Sequence, residues 1–523
     1  MRFLSPMDGR DGARRAAADR GVRSNGRLDD EHDPAAADRR RLRARAMNAP
    51  ARERPGVGVE PWRPPAYFNL AQWAQAAGDV WSGTWLGAEA IAARAQTRLR
   101  ALLRFARAHV PLHRRRLRDF PGAAAIRLAD LPVLRKADLM ADLPASLAVS
   151  DLDRAAIDAF LADPSRIGTP LAGRFAVWTS SGSTGVPGIF VHDGDALAVY
   201  DALELLRFRG LSVAPWPAGP FLAGKRYAMV AAVEGHFAGI ATIERLRRGF
   251  PLLAPYLRAF SVLQPLPELV GQLNRYRPTL LAAYPTVAEL LAEEQAAGRL
   301  KLALDELWCG GESLGEATRA ALAAAFRCRV REAYGASEFL SIAWPCRYDR
   351  LHVNADWVLL EGVDARGQPV PPGVPSHTTL LTNLANRVQP LLRYDIGDSI
   401  TVLPEPCPCG SALPAITVQG RCDDVLSLAG RSGRVKLTPL ALATVLEDDA
   451  HLSDFQLVQT GARRLALRLG AAERARADAA CAVLRAYLRR LDLAGVRVDV
   501  DAAPPQREAA SGKLRRVVRA VAD

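Results

Sequence analysis

The stretch Val177-Trp-Thr-Ser-Ser-Gly-Ser-Thr-Gly-Val-Pro-Gly-Ile-Phe190 constrains this chain more than any other. Five hydroxyl side chains (Thr179, Ser180, Ser181, Ser183 and Thr184) and two glycines (Gly182 and Gly185) sit between apolar runs. Residues 175–178 read as a strand going in and 189–191 as a strand coming out. Glycines let the backbone turn back with its N–H groups converging, and hydroxyls add donors, so the loop reads as an anion cradle suited to polyphosphate. It is not a Walker A loop: no Gly-Lys-Ser/Thr follows, and no helical pattern opens directly after it. A Ser/Gly connector between strands would share this composition, so the rest of the chain has to decide.

With 523 residues the chain has room for two to four domains. The formal charge of +13 admits a nucleic-acid partner. Yet only five of the 69 basic residues are lysine, and beyond the N-terminal tail no basic run interleaves with aromatics. No nucleic acid is therefore expected. Seven cysteines without an even framework fit the cytoplasm, where spaced cysteines bind metal more often than they form disulfides. No run of 18 apolar residues occurs, so no membrane span is expected, and the N-terminus lacks the apolar core of a secretory signal.

Residues 1–62 read as a disordered basic arm rich in Arg, Asp, Ala and Gly, with Met47 as an alternative start. Residues 63–150 look mainly helical, with Leu99, Leu102, Leu103, Phe105 and Ala106 at helical spacing. From 175 to 400 strands (227–233, 304–309, 329–334) alternate with helices (265–275, 286–297, 314–326). That alternation predicts an α/β fold with layered, largely parallel sheets. A β-rich part at 352–403 is expected to add a small barrel or sheet. From about 422 a small α+β unit is expected, with strands at 455–458, 465–469 and 496–500 and a helix at 474–491. The expected division is an arm at 1–62, a large domain at 63–420 and a small C-terminal domain at 421–523.

Further candidates lie downstream of the loop. Gly311 and Glu312 close a strand, and strand ends in α/β sheets are where ligands bind. Val330-Arg-Glu-Ala-Tyr-Gly-Ala-Ser-Glu338 repeats that layout with Tyr334, Gly335, Ser337 and Glu338. Beside a phosphate cradle, Glu338 is a candidate Mg²⁺ ligand, because Mg²⁺ takes one or two carboxylates plus phosphate oxygens. Asp398, after the Gly397 turn, could accept hydrogen bonds from the vicinal hydroxyls of a ribose. Arg421 and Asp423 lie where the composition changes, and Lys513 sits in a basic tail.

Taken in order, these motifs resemble the adenylate-forming superfamily of acyl-CoA synthetases, peptide-synthetase adenylation domains and luciferases. Within it they look closest to the branch of phenylacetate-CoA ligase, coenzyme F390 synthetase and capsule-biosynthesis relatives. The marks are His109-Val-Pro, Leu131-Pro-Val-Leu-Arg-Lys136, Tyr284-Pro, Thr382-Asn-Leu, Pro390-Leu-Leu-Arg-Tyr394 and Cys407-Pro-Cys-Gly. The resemblance covers residue 97 to the end. It implies an ATP-binding (AMP-binding) domain at 63–420 and a mobile C-terminal domain. The phosphate loop is then 179–187, Glu338 the Mg²⁺ glutamate and Asp398 the ribose-binding residue. Arg421 precedes the hinge, Asp423 is the hinge and Lys513 the catalytic lysine. His236 resembles an aromatic or His position beside the acyl pocket, though an ordinary core His reads equally well. Gly188 stands where many members carry Lys, and Ser337 where Thr is usual. Neither departure threatens ATP binding.

The activity implied is adenylation of a carboxylic acid, aryl or hydrophobic, followed by transfer to a thiol, CoA first. Alternatives are an F390-synthetase-like adenylyl transferase, an acyl-protein synthetase loading a carrier protein, and a binding module without activity. Intact Glu338, Asp398 and Lys513 argue against the last. A homodimer is left open. Cys346, His352, Cys407 and Cys409 form two short-spaced pairs, a Cys₃His complement for structural zinc, and resemble residues that recur in the phenylacetate branch. The arm generates one prediction. Deleting residues 1–46 should leave melting temperature and activity unchanged, since the segment has too little apolar surface to order itself. A large drop in melting temperature on truncation would show that it packs on the body.

Overall fold

The computed structural model describes residues 62–63, 66–120, 126–180, 187–208, 225–311, 314, 316–418, 426–437, 442, 445–452, 454–506 and 516–520. The helical N-terminal part is as expected. Leu70–Thr84 starts at Asn69, whose side chain accepts from the Ala71 N–H at 2.9 Å. Ala88–His109 buries Ile91, Ala95, Leu99, Leu102, Leu103 and Ala106 along one face. It stops at Val110, held extended ahead of Pro111.

The strands, in chain order, begin with the hairpin β1 (Ala176–Thr179) and β2 (Ile189–His192). There follow β3 (Tyr227–Ala231), β4 (Leu257–Ser261), β5 (Leu280–Ala283), β6 (Glu306–Gly310) and β7 (Arg329–Ala336). Next come β8 (Phe339–Pro345), β9 (Leu351–Val353), β10 (Val358–Val363), β11 (Thr378–Asn383), β12 (Tyr394–Asp395), β13 (Ile400–Val402) and β14 (Ala415–Val418). The C-terminal part has β15 (Leu426–Ala429), β16 (Arg434–Leu437), β17 (Phe455–Gly461), β18 (Arg464–Leu469), β19 (Arg497–Asp501) and β20 (Val517–Arg519).

One nine-stranded sheet, in the order β13-β14-β9-β8-β7-β6-β5-β3-β4, organises the large part. Its β4-β3-β5-β6-β7 half is parallel. Helices Leu266–Tyr276, Pro285–Ala296 and Glu316–Phe326 connect those strands. Leu269, Leu273 and Leu291 pack with Leu281, Leu307 and Val330 in one core. The other half is antiparallel. The β-rich part expected at 352–403 serves two sheets: β10-β11-β12 stand as a three-stranded sheet, while β9 and β13 extend the large one. Strands β19-β18-β17-β20 and helix Ala477–Arg490 keep a separate core around Leu457, Leu467, Leu484 and Tyr487. Both cores lie within one compact unit, Glu60–Asp523. Among the described residues no helix is long and apolar enough to cross a membrane.

A buried ion pair ties three segments of the large part together. Both guanidinium ends of Arg207 meet the Asp356 carboxylate, at 2.7 and 2.8 Å, with neither side chain exposed. Its remaining donors reach Asn354 Oδ1, the Val80 carbonyl and Thr84 Oγ1 at 3.0, 3.2 and 3.1 Å. Gly83 permits the approach, since a Cβ there would fall 2.6 Å from Asp356 Oδ2. Breaking such a pair from one side strands a charge in the interior. Asp356→Ala should therefore cost about 3–5 kcal/mol in chemical denaturation. A loss below about 1 kcal/mol, the scale of a surface pair, would contradict this reading.

Candidate active site

The loop stretch lies where β1 runs out. The Thr179 N–H donates to the His236 carbonyl at 2.8 Å. The Ser180 N–H donates to the Gly188 carbonyl at 2.8 Å, and its Oγ accepts from the Gly188 N–H at 2.9 Å. Ser180 thus closes the mouth of the hairpin. Ser181, Gly182, Ser183, Thr184 and Gly185 lie outside the described residues.

Strand β7 delivers the second motif. It pairs in parallel with β6 as far as Ala333, then turns to antiparallel pairing with β8 from Tyr334. The register shifts between Tyr334 and Ala336, at Gly335. A Cβ at Gly335 would lie 1.8 Å from the Leu340 carbonyl oxygen, so only glycine fits this bulge. The bulge sends Ser337 and Glu338 toward β1. Ser337 Oγ donates to the Thr179 carbonyl at 3.3 Å. Trp178 Nε1 donates to the Ser337 carbonyl at 2.8 Å. Asn383 Nδ2 donates to the Glu338 carbonyl at 2.9 Å.

Glu338 is 8% exposed. The Tyr394 phenol lies near its carboxylate, and burial first, then that negative charge, raises the phenol above its usual range. Tyr394 therefore remains a donor. A single, largely buried carboxylate beside a phenol fits a Mg²⁺ site that draws its other ligands from phosphate and water. Asp398 joins through Tyr334, whose hydroxyl donates to Oδ2 at 3.1 Å. Thr379 Oγ1 holds the Asp398 carbonyl at 2.7 Å, and Gly397, at φ +73°, makes the preceding turn.

Gly311 follows the last residue of β6, where Gly310 pairs with Ala333. It has φ +78°, and a Cβ would fall 2.8 Å from the Tyr284 ring. His236 contributes its carbonyl to β1, and its ring engages Asp163 and Phe160. Nε2 lies 2.9 Å from the Asp163 carbonyl, and the ring packs on Phe160 at 4.9 Å between centroids. Burial lowers its pKa, so the imidazole is neutral and Nε2–H is the donor. The structure thus brings Thr179, Ser180, the His236 backbone, Tyr334, Gly335, Ser337, Glu338 and Asp398 together. Glu312, Arg421, Asp423 and Lys513 lie outside the described residues. Sequence reasoning assigned no role to Asn383 or Tyr394, although both stand in runs that carried the resemblance.

A second cluster sits at the other end of β8, on the order of 20 Å along the strand from Glu338. The ligand atoms of Cys346, His352, Cys407 and Cys409 all lie within 4.8 Å of one another. Cys346 follows β8, His352 is on β9, and the turn between them uses Asp349 at φ +55°. Cys407-Pro-Cys409 is closed by Gly410 at φ +86°, whose N–H donates to the Cys407 carbonyl at 3.1 Å. The Cys346 and Cys407 sulfurs are 3.7 Å apart, and Cys409 Sγ is 3.3 Å from His352 Nε2. Zn–S bonds of about 2.3 Å at tetrahedral angles put two sulfurs about 3.8 Å apart. His352 Nδ1 donates to the Leu413 carbonyl at 2.8 Å, which turns Nε2 and its lone pair to the cluster. Burial lowers the His352 pKa and keeps that lone pair free of a proton. Backbone N–H groups of Tyr348 and Ser411 reach the Cys346 and Cys409 sulfurs, each at 3.4 Å. The donor set and its spacing fit zinc.

Residues 175–376 match the family model of the AMP-binding enzymes. No curated protein matches the chain. Among solved structures it is similar to 2-hydroxyisobutyryl-CoA ligase in complex with 2-HIB-AMP and CoA in the thioesterification state. That match has 22% identity over 83% of this chain and 91% of the other, with a TM-score of 0.53. The postadenylation state of that ligase, in complex with R3-HIB-AMP, matches at 21% identity over 83% and 90%, with a TM-score of 0.51. A benzoate CoA ligase from Burkholderia xenovorans LB400 matches at 19% identity over 65% and 68%, with a TM-score of 0.35. The chain thus shares the fold of the first ligase and carries an AMP-binding-enzyme segment that spans β1 to the loop before β11.

Proposed function

We propose that the protein is an AMP-forming acid–thiol ligase of the phenylacetate-CoA ligase branch, with an aryl or hydrophobic carboxylic acid as substrate and CoA as acceptor. One observation carries this reading. Within the AMP-binding-enzyme segment, Ser337 bonds to Thr179 at the mouth of the hairpin, and Tyr334, three residues earlier, bonds to Asp398 beyond the segment. These contacts support reading the end of β1, Glu338 and Asp398 as parts of one site. The fold neighbour, 2-hydroxyisobutyryl-CoA ligase in complex with 2-HIB-AMP and CoA, supports the CoA-ligase part of this reading.

In the first step a substrate carboxylate oxygen attacks the α-phosphorus of ATP, and the bond to pyrophosphate breaks. In the second a thiol sulfur attacks the acyl carbon and AMP leaves. The first step presses anions together. Donors in residues 179–185 and the Lys513 ammonium offset that repulsion as charge develops. Asp398, oriented by Tyr334, accepts from the ribose hydroxyls. Glu338 would hold Mg²⁺, which would supply Lewis-acid neutralisation of the phosphates. Asp423, after Arg421, is the hinge on which Lys513 comes and goes between the steps. His236, neutral and engaged with Asp163, keeps the end of β1 in place. Cys346, His352, Cys407 and Cys409 would hold a structural zinc, and with four protein ligands it would stabilise the sheet rather than take part in the chemistry.

Pyrophosphate release across a panel of acids, with and without CoA, tests the activity. Release that leads to no thioester with CoA would redirect the reading to a carrier protein or to adenylyl transfer. Lys513→Ala should lower acid-dependent pyrophosphate exchange by about 10²–10³ while ATP binding and melting temperature hold. Exchange at the wild-type rate would remove Lys513 from the site. Protein purified without a His tag should contain one zinc per chain, lost in Cys407→Ser with a lower melting temperature. Metal-free protein of normal stability would overturn the zinc assignment and leave the ATP site untouched.

A further inference from the structure

Strand β2 pairs with one neighbour, β1. Its outer edge therefore presents backbone groups that need partners once buried. Side-chain amides supply them. The Val191 N–H donates to Gln389 Oε1 at 2.8 Å. Gln389 Nε2 donates to the Ile189 carbonyl at 3.3 Å and to Ser146 Oγ at 3.2 Å. Asn386 Nδ2 donates to the Val191 carbonyl at 2.8 Å, and its Oδ1 accepts from the Gln389 N–H at 3.3 Å. Two amides thus read the edge of β2 as another strand would. Their orientation is fixed, because the Val191 N–H requires an oxygen and the Val191 carbonyl a nitrogen.

The same segment grips the neighbouring elements. Asp193, just past β2, accepts from the Arg387 and Val388 N–H groups at 3.1 and 3.0 Å. Asn383 Nδ2 donates both to the Tyr200 hydroxyl at 2.8 Å and to the Glu338 carbonyl at 2.9 Å. Asn383 Oδ1 accepts from the Ala385 and Asn386 N–H groups at 2.9 and 3.2 Å. Asn383, Asn386 and Gln389 are at most 1% exposed. Directional amide bonds specify register, whereas apolar packing tolerates sliding. One strap, 383–389, therefore holds both the hairpin and the backbone of Glu338.

We propose that Asn383, Asn386 and Gln389 are positioning residues that lock the β1–β2 hairpin and Glu338 at the spacing at which both meet the phosphates of ATP. This rests on the ligase reading above. The strap touches no substrate; it acts through β2 and Glu338. The phosphates should feel its loss, while a nucleoside held through Asp398 should not.

Gln389→Met, close in length, removes both amide functions. In it, hydrogen exchange at the Val191 amide should quicken at least about tenfold, and MgATP affinity should fall about tenfold, a change of about 1.4 kcal/mol. Adenosine affinity should stay within about twofold, because adenosine has no phosphates to misplace. Should Gln389→Met fail to fold, Asn386→Ser, whose side chain falls short of the Val191 carbonyl, carries the same expectations. Unchanged MgATP affinity, unchanged Val191 exchange, or equal losses for MgATP and adenosine would each overturn the proposal. Wild-type protein that binds neither ligand would sink the ligase reading and this inference with it. Wild-type binding without a selective loss in the variant sinks only this inference.

Discussion

The hydrogen bond from the Trp178 indole to the Ser337 carbonyl, 2.8 Å long, is where the hairpin meets the large sheet. Trp178 is fully buried, and its other face stacks on His192 of β2, 4.1 Å between ring centroids. One side chain thereby joins both hairpin strands to the turn that carries Glu338. Strand β7 changes partner after Ala333, and its register shifts at Gly335, where any Cβ would strike the Leu340 carbonyl. Parallel pairing with β6 brings the chain up from the core, and antiparallel pairing with β8 takes it away. Ser337 and Glu338, the turn that joins β7 to β8, are left to face the hairpin.

Polar interactions in the interior carry much of this arrangement. Arg207 spends every donor on Asp356, Asn354, Val80 and Thr84. Arg393, just before Tyr394, bonds to Glu361 and to the carbonyls of Ala129 and Leu131. His113 bonds to the Pro390 carbonyl, and burial pushes its pKa down to about 3, so it stays neutral. A buried polar group costs free energy unless it is paired, so each of these side chains accepts few alternative arrangements. The result is a segment, 383–398, held from the N-terminal helices on one side and from the hairpin on the other. Tyr394 and Asp398 reach the site from that fixed base.

The two clusters divide the work of the antiparallel half. At one end of β8, carboxylates and hydroxyls converge on the mouth of the hairpin. At the other, three thiols and an imidazole join β8, β9 and the loop before β14. A metal there would cross-link strands whose pairing is short: β9 makes three pairs with β8 and two with β14. Stability supplied there would leave the candidate site free to be built from polar residues.

Much of this was legible in the sequence, because local chemistry dictates it. Apolar runs gave three strands and three helices between 227 and 334 that stand within a few residues of those observed, while β4, β5 and helix Ala238–Gly249 were not read from them. Hydroxyls and glycines at 179–185, a carboxylate at 338 and another at 398 declared themselves by residue type and spacing. Cys407-Pro-Cys409 and the Cys346–His352 pair did the same, and the fold brings them within metal-binding reach. What the sequence by itself determined is therefore the fold class and the kinds of groups available, since periodicity and side-chain chemistry are local properties. Only the tertiary structure decided which groups meet. It shared the strands of 352–403 between two sheets, turned the His236 ring toward Asp163, and set Asn383, Asn386 and Gln389 against β2 and Glu338. An amide looks the same in a sequence whether it faces water or a strand edge. Its partners lie nearly two hundred positions away, and only the packed chain brings them within hydrogen-bonding distance.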